Sequence, residues 1–182
     1  MDFIENHFPK ILRRANSIDW GKFIVAVIAI AYFANNIMSP TEFRFLDTVN
    51  LFIHEAGHFL FAPFGMTLAI MGGTILQLLM PTLFVGYFFL QREFYSASLV
   101  LFWLGQNFIN VSVYAGDAEL MALPLIGGEI HDWNYLLTHF EVLGHTALVG
   151  KIIFIVGVMI IVLAGLSSLR FARNKVPIST IG

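Results

Sequence analysis

The stretch that decides the fold is LFIHEAGHFLF at residues 51–61, which places three ionisable side chains inside an apolar run. On an α-helix, residues four apart lie on one face, so His54 and His58 can direct two imidazoles at one point. Glu55 lies about 100° round the helix from His54, close enough for its carboxylate to reach a water held at that point. Two nitrogen ligands, an open position and a general base are the parts of a hydrolytic zinc site.

The composition is that of a membrane protein. The chain has 182 residues, of which 58% are hydrophobic and 12% charged, whereas soluble domains carry about 25% charged residues. We therefore predict one all-α integral membrane domain in a lipid bilayer, in our interpretation the cell membrane of a bacterium. Ionisable residues are costly in that setting and indicate function by default. The alternatives for the triplet are a packed polar cluster and a purely structural metal site.

Net charge and cysteine content limit the partners and the metal ligands. The net charge is −2, and no basic patch with interleaved aromatics is visible, so nucleic acid is not an expected partner. Because the chain has no cysteine, a metal must be bound by His, Asp or Glu. Zn²⁺ is the cofactor that this donor set and the helical histidine spacing predict. No removed signal peptide is expected, since no small-residue cleavage site follows the first apolar run.

Hydropathy predicts about five transmembrane helices, preceded by an interfacial amphipathic segment over residues 1–22 and followed by a basic tail over 172–182. Proline and glycine residues mark the segment after the second helix and predict a hairpin or re-entrant strand there. Its residues 66–71 could pair with an extended substrate, or the segment could be a packed loop. Five spans put the two basic ends on opposite sides, whereas the positive-inside rule favours both in the cytoplasm, so orientation stays open. The predicted helices cover residues 23–37, 46–62, 74–90, 97–114 and 147–169.

Three features carry a resemblance to a known family: the histidine motif in a membrane helix, Gly72-Gly73 at the start of the third span, and Asp117 at the end of the fourth. The chain resembles the site-2-protease-like family of intramembrane zinc metalloproteases, in its small, minimal branch. The resemblance covers about residues 46–120, the core of a domain over residues 23–171. It implies zinc-dependent cleavage of a membrane protein or peptide substrate. The family usually carries its third ligand in an Asn…Leu-Asp-Gly signature; the nearest match here runs from Asn110 to Asp117, which Ala118 follows.

A catalytic zinc ion takes three protein ligands and one water, so one ligand beyond the histidines is required. Asp117 is one candidate, because alternating spans bring the end of the fourth helix to the same side as the end of the second. Asp132, or its neighbour His131, is the alternative, although Asp132 would also serve as the N-cap of a short helix over residues 133–143. Glu55 is the predicted catalytic residue, as base towards the water and then as acid to the leaving amine.

Three further polar residues lie in the predicted spans, namely Gln77, Asn107 and Asn110. They could bind a substrate backbone or stabilise an oxyanion, or they could form interhelical hydrogen bonds. Two functions compete with proteolysis: a zinc-binding membrane scaffold or chaperone that does not cleave, and a metal transporter. A transporter needs a polar path across the bilayer, whereas the polar residues here gather around one motif and one loop.

Overall fold

The computed structural model describes residues 15–125 and 130–176, which are almost entirely helical. One antiparallel strand pair joins the two ends of this range. The predicted interfacial segment lies outside the described residues as far as residue 14, and residues 15–18 form a strand. The elements are β1 (Ala15–Ile18), α1 (Trp20–Met38), α2 (Phe45–Phe61), α3 (Met66–Leu90), α4 (Phe94–Gly116), α5 (Asp132–His139), α6 (Thr146–Phe171) and β2 (Arg173–Val176), with 3₁₀ turns at Ala62–Phe64 and Leu143–His145.

Four helices, α1, α3, α4 and α6, are long and apolar enough to cross a membrane. Large apolar side chains such as Ile28, Leu83 and Leu166 point outward from them. A contiguous apolar exterior is unfavourable in water and is what a bilayer covers. The chain is therefore an α-helical membrane protein. Helix α2, with 17 residues, is shorter than these four.

The segment after α2 differs from the predicted hairpin or re-entrant strand. Gly65, at φ +99°, precedes α3, and residues 66–71 are the first turns of this 25-residue helix. The helix continues through Gly72 and Gly73 and contains Pro81. Residues 66–71 thus present no strand edge to a substrate, because their backbone groups bond within the helix. The apolar length of the whole segment was a stronger determinant of its secondary structure than the local glycine and proline residues.

The long helices alternate in direction. The Asp19 amide donates to the Ala172 carbonyl at 2.9 Å, and Tyr95 Oη donates to the Lys22 carbonyl at 2.7 Å. The start of α1, the start of α4 and the end of α6 therefore share one face, which we call the terminal face. The opposite face, where α1 and α4 end and α6 begins, is the loop face. There Gly116 of α4 lies against Gly150 of α6.

Helix α2 runs from the middle of α4 to the start of α3. Residues 91–93 join α3 to α4 at the terminal face, so α3 begins at the loop face, and a short turn leads into it from α2. Thr67 near the start of α3 lies 3.4 Å, oxygen to oxygen, from Tyr135 of α5. The first turns of α2 lie beside the middle of α4, where Asn50 Nδ2 donates to Gln106 Oε1 at 2.7 Å. The described ends of the chain, at β1 and β2, lie together on the terminal face, which five alternating spans would not give.

Glycines set two close helix crossings. Gly105 of α4 and Gly157 of α6 face each other, and a Cβ on either would meet the other's carbonyl oxygen at about the 3 Å limit of real contacts. Gly57 of α2 and Gly72 of α3 touch backbone to backbone. The second crossing holds the histidine motif against α3.

Candidate metal centre

The two motif histidines direct ring nitrogens at one point, as their spacing predicts. A ring nitrogen of His54, one of His58 and a carboxylate oxygen of Glu55 all lie within 4.8 Å of one another. The two ring centroids are 4.8 Å apart. His54 is buried, whereas His58 and Glu55 are half-buried, so the group lies at the edge of the bundle and not sealed within it.

The hydrogen bonds of the histidines determine which nitrogens are free. His54 Nδ1 lies 3.1 Å from Gln77 Oε1, and His58 Nδ1 lies 2.9 Å from the Ala69 carbonyl oxygen. Both partners are acceptors, so each Nδ1 carries the ring proton and each Nε2 presents a lone pair. Metal-bound histidines are held in the same way, with the second nitrogen donating to an oxygen.

Asp132 supplies a third donor atom at the same point. Its Oδ2 lies 2.8 Å from Nε2 of His54 and 3.3 Å from Nε2 of His58. Ligands of one tetrahedral zinc ion, each about 2.0–2.1 Å from the metal, stand about 3.3 Å apart. Burial raises the pKa of the Asp132 carboxyl, but the two imidazoles lower it further, so the net shift is downward. Two imidazole nitrogens and a carboxylate oxygen that converge in this way could hold a metal ion, and this donor set fits zinc.

Asp117, the other candidate for the third ligand, makes its contacts elsewhere. Its two carboxylate oxygens accept hydrogen bonds from the Ala122 and Leu123 amides at 3.0 and 2.9 Å. Oδ2 also lies 3.5 Å from Nε2 of His131. The structure therefore brings Asp132, and not Asp117, to the histidine pair. Asp117 instead holds the chain that leaves α4.

The start of α5 explains why Asp132 is free to reach the histidines. His131, and not Asp132, is the N-cap: its Nδ1 accepts the Asn134 amide at 3.2 Å. Asp132 is the first helical residue, and its amide donates to Tyr114 Oη at 3.1 Å. Because His131 caps α5, the Asp132 carboxylate is left to contact the histidines.

The three additional polar candidates divide into two groups. Gln77 contacts His54 as described, and its Nε2 donates to Asn110 Oδ1 at 2.9 Å. Both side chains line the site. Asn107 donates to the Trp103 carbonyl at 2.9 Å, within its own helix, and is fully buried. The structure therefore does not bring Asn107 to the metal centre.

A cavity of about 200 Å³ opens beside His54 and Glu55. Asp47, Gln77 and Asn110 give it a polar wall, and the remaining lining is largely apolar. It extends between the α1–α2 connection and the chain that follows α4. Its other lining residues are Pro40, Thr41, Glu42, Phe43, Leu51, Val111, Val113, Tyr114, Leu123, Pro124 and Leu125.

Two residues that the sequence did not single out take part in this site. Tyr114 holds the Asp132 amide, and its ring lies edge-on to His54 with centroids 6.0 Å apart. Asp47 is buried on the same face of α2 as His54. Its position seven residues before His54, two helical turns away, was the available signal.

Comparisons with known proteins do not identify a family. No family model matches the chain, and no curated protein or solved structure is similar to it. The resemblance to site-2-protease-like enzymes therefore stays a prediction from the motif and its setting.

Proposed function

We propose that the protein is an intramembrane zinc metalloprotease that hydrolyses a peptide bond of a membrane protein. The observation that carries this proposal is the convergence of three acceptor atoms, Nε2 of His54, Nε2 of His58 and Oδ2 of Asp132, with the Glu55 carboxylate beside them. Three protein ligands with a neighbouring cavity match a catalytic zinc site, which keeps one open position, and not a closed structural one.

His54, His58 and Asp132 would hold the ion, which when bound supplies Lewis acidity towards a water and a carbonyl. Glu55 lies on the cavity side of this group, where it takes the proton of the attacking water and passes it to the leaving amine. Tyr114 Oη accepts from the Asp132 amide and retains its own proton, so it has a donor for the developing oxyanion. The cavity receives the substrate segment beside these groups.

The membrane arrangement follows from helix directions and charge. We propose four crossings, by α1, α3, α4 and α6, whereas α2 does not cross. Among the residues whose side chains the structure describes, the terminal face carries Lys22, Arg92, Arg170 and Arg173, and the loop-face half carries Arg44 and Lys151. The positive-inside rule then places the terminal face in the cytoplasm, and the metal centre opens on the opposite side of a bacterial cell membrane.

The test is a comparison of membranes containing wild-type protein with membranes containing Glu55→Gln. This substitution removes the base and keeps nearly the same volume, so zinc is retained while cleavage is lost. Quantitative proteomics should find membrane proteins that accumulate intact in the Glu55→Gln cells and appear as fragments with the wild type. Glu119→Gln, on an exposed residue after α4, is the matched control and should behave as wild type.

Three results would contradict this function or the role of Glu55 in it. Identical fragment patterns for wild type and Glu55→Gln, with zinc bound in both, would favour the non-proteolytic scaffold. Zinc flux into proteoliposomes that depends on His54 would favour a transporter. Hydrolysis by Glu55→Gln at the wild-type rate would remove Glu55 from the mechanism.

A further inference from the structure

Asp47 is a buried carboxylate with a complete set of hydrogen-bond donors. Its exposed fraction is 5%. Oδ1 accepts from Asn110 Nδ2 at 3.1 Å and from Gln106 Nε2, and Oδ2 accepts from the Arg44 amide at 2.7 Å. An ionised carboxylate only accepts hydrogen bonds, so each neighbour must turn an N–H towards it. Asp47 therefore determines the orientation of the amides around it.

One branch from Asp47 leads to the metal centre. Because the Asn110 amide turns its nitrogen to Asp47, its oxygen faces α3 and accepts from Gln77 Nε2 at 2.9 Å. Gln77 is thereby left with its oxygen towards His54, where Oε1 lies 3.1 Å from Nδ1. The direction of every hydrogen bond in this chain, from His54 through Gln77 and Asn110, is thus set by the carboxylate at its end.

We propose that Asp47 is a positioning residue that fixes the tautomer and orientation of His54 through Asn110 and Gln77. This inference rests on the proposed zinc-binding role of His54. If Gln77 were reversed, its NH₂ would face Nδ1, the imidazole proton would move to Nε2, and the metal-binding lone pair would be lost. In a carboxylate–histidine–metal triad the carboxylate contacts the histidine directly. Here two amide side chains lie between the carboxylate and the histidine, and the link spans three helices.

A second branch of hydrogen bonds from Asp47 provides a control, because it separates the positioning of His54 from a role that only holds the helices together. Gln106 Oε1 accepts from Asn50 Nδ2 at 2.7 Å, and Asn50 Oδ1 accepts from Trp103 Nε1 at 2.8 Å. This branch is buried in the same α2–α4 interface but does not contact His54. A network that only holds helices together would respond alike to damage in either branch.

The experiment measures the zinc affinity of the detergent-purified full chain by chelator competition, with the visible spectrum of the Co²⁺-substituted protein as a second readout. Asp47→Leu keeps nearly the same volume and removes both acceptor oxygens, so it should lower zinc affinity about 10- to 100-fold, the usual effect of losing such a partner. Asn50→Leu should leave zinc affinity and the Co²⁺ spectrum within a few-fold of wild type, whatever it costs in stability.

The double variant Asp47→Leu with Gln77→Glu is the decisive one. It places a carboxylate next to His54, where it accepts from Nδ1 directly and has no N–H that could face the ring, whatever the orientation of Asn110. Zinc affinity should return to near the wild-type value. Should Asp47→Leu fail to fold, Asn110→Leu interrupts the same branch and should lower zinc affinity to a similar extent.

Three outcomes overturn the inference: wild-type affinity in Asp47→Leu, or in Asn110→Leu where it takes its place; an equal loss in Asn50→Leu; or no recovery in the double variant. These are distinguishable from failure of the proposed function. A wild-type protein that binds no zinc contradicts the metalloprotease itself, whereas a wild-type protein that binds zinc but does not cleave leaves the affinity comparison intact.

Discussion

Oδ2 of Asp132 lies 2.8 Å from Nε2 of His54, although the two residues are 78 positions apart in the chain. His54 belongs to a helix inside the bundle, whereas Asp132 begins a short helix in the long connection between α4 and α6. The candidate metal centre therefore combines residues from the bundle and from the α4–α6 connection, and its three donor atoms converge only when α5 is docked.

The first prediction separates the two candidate carboxylates. Asp132→Ala should lose zinc, because it removes a donor atom from the convergence point. Asp117→Ala should retain zinc and lower the free energy of unfolding by about 1.5–3 kcal/mol, because two backbone amides lose a charged acceptor. Elemental analysis and denaturation of both purified variants measure this. Zinc loss in Asp117→Ala alone would reverse the assignment.

The second prediction concerns metal content. Wild-type protein should hold about one zinc per chain, and His54→Ala or His58→Ala should lower the occupancy well below half after dialysis against a weak chelator. His139→Ala removes an exposed histidine of α5 and should change nothing. Full occupancy in both motif variants would show that the histidines do not bind the metal.

The third prediction uses two glycines of α3. A Cβ at Gly73 would lie 2.5 Å from Nε2 of His54, so Gly73→Ala must displace the imidazole and should lower zinc affinity. Gly86 has no heavy atom within 4 Å of the same position, so Gly86→Ala should leave zinc affinity unchanged. Both proteins are assayed by chelator competition. Equal affinities would mean that His54 is not held where the structure places it.

The fourth prediction concerns orientation, and the cysteine-free sequence makes it simple to test. A single cysteine at Glu119, near the loop face, should react with a membrane-impermeant maleimide in intact spheroplasts. A single cysteine at Gln91, in the α3–α4 connection at the terminal face, should react only after permeabilisation. The reverse pattern would place the metal centre towards the cytoplasm.

The helices were largely predictable from sequence, because apolar length and polar interruptions are local properties. The long helices α1, α3, α4 and α6 correspond to predicted spans, and α2 closely matches its predicted range. The prediction for residues 66–71 was wrong because glycine and proline mark a helix start here and not a loop. The course of α2 from the middle of α4 to the start of α3 depends on how helices α1, α3 and α4 pack, which hydropathy does not encode.

The site was predictable where its chemistry lies on one helix. His54, Glu55 and His58 follow from helical spacing, and the structure groups them. The position of Asp132 could not be ranked above that of Asp117, because it depends on the docking of α5 against α2. The link from Asp47 to His54 crosses three helices, and only the three-dimensional contacts show it.

The contact between Gly57 and Gly72 has a mechanical consequence. With their backbones touching, α2 and α3 have no side-chain layer between them that could slide or repack. The two helices must move as one rigid body, carrying both histidines. Any widening that admits a substrate must therefore come from the elements across the cavity, the α1–α2 connection and the chain following α4.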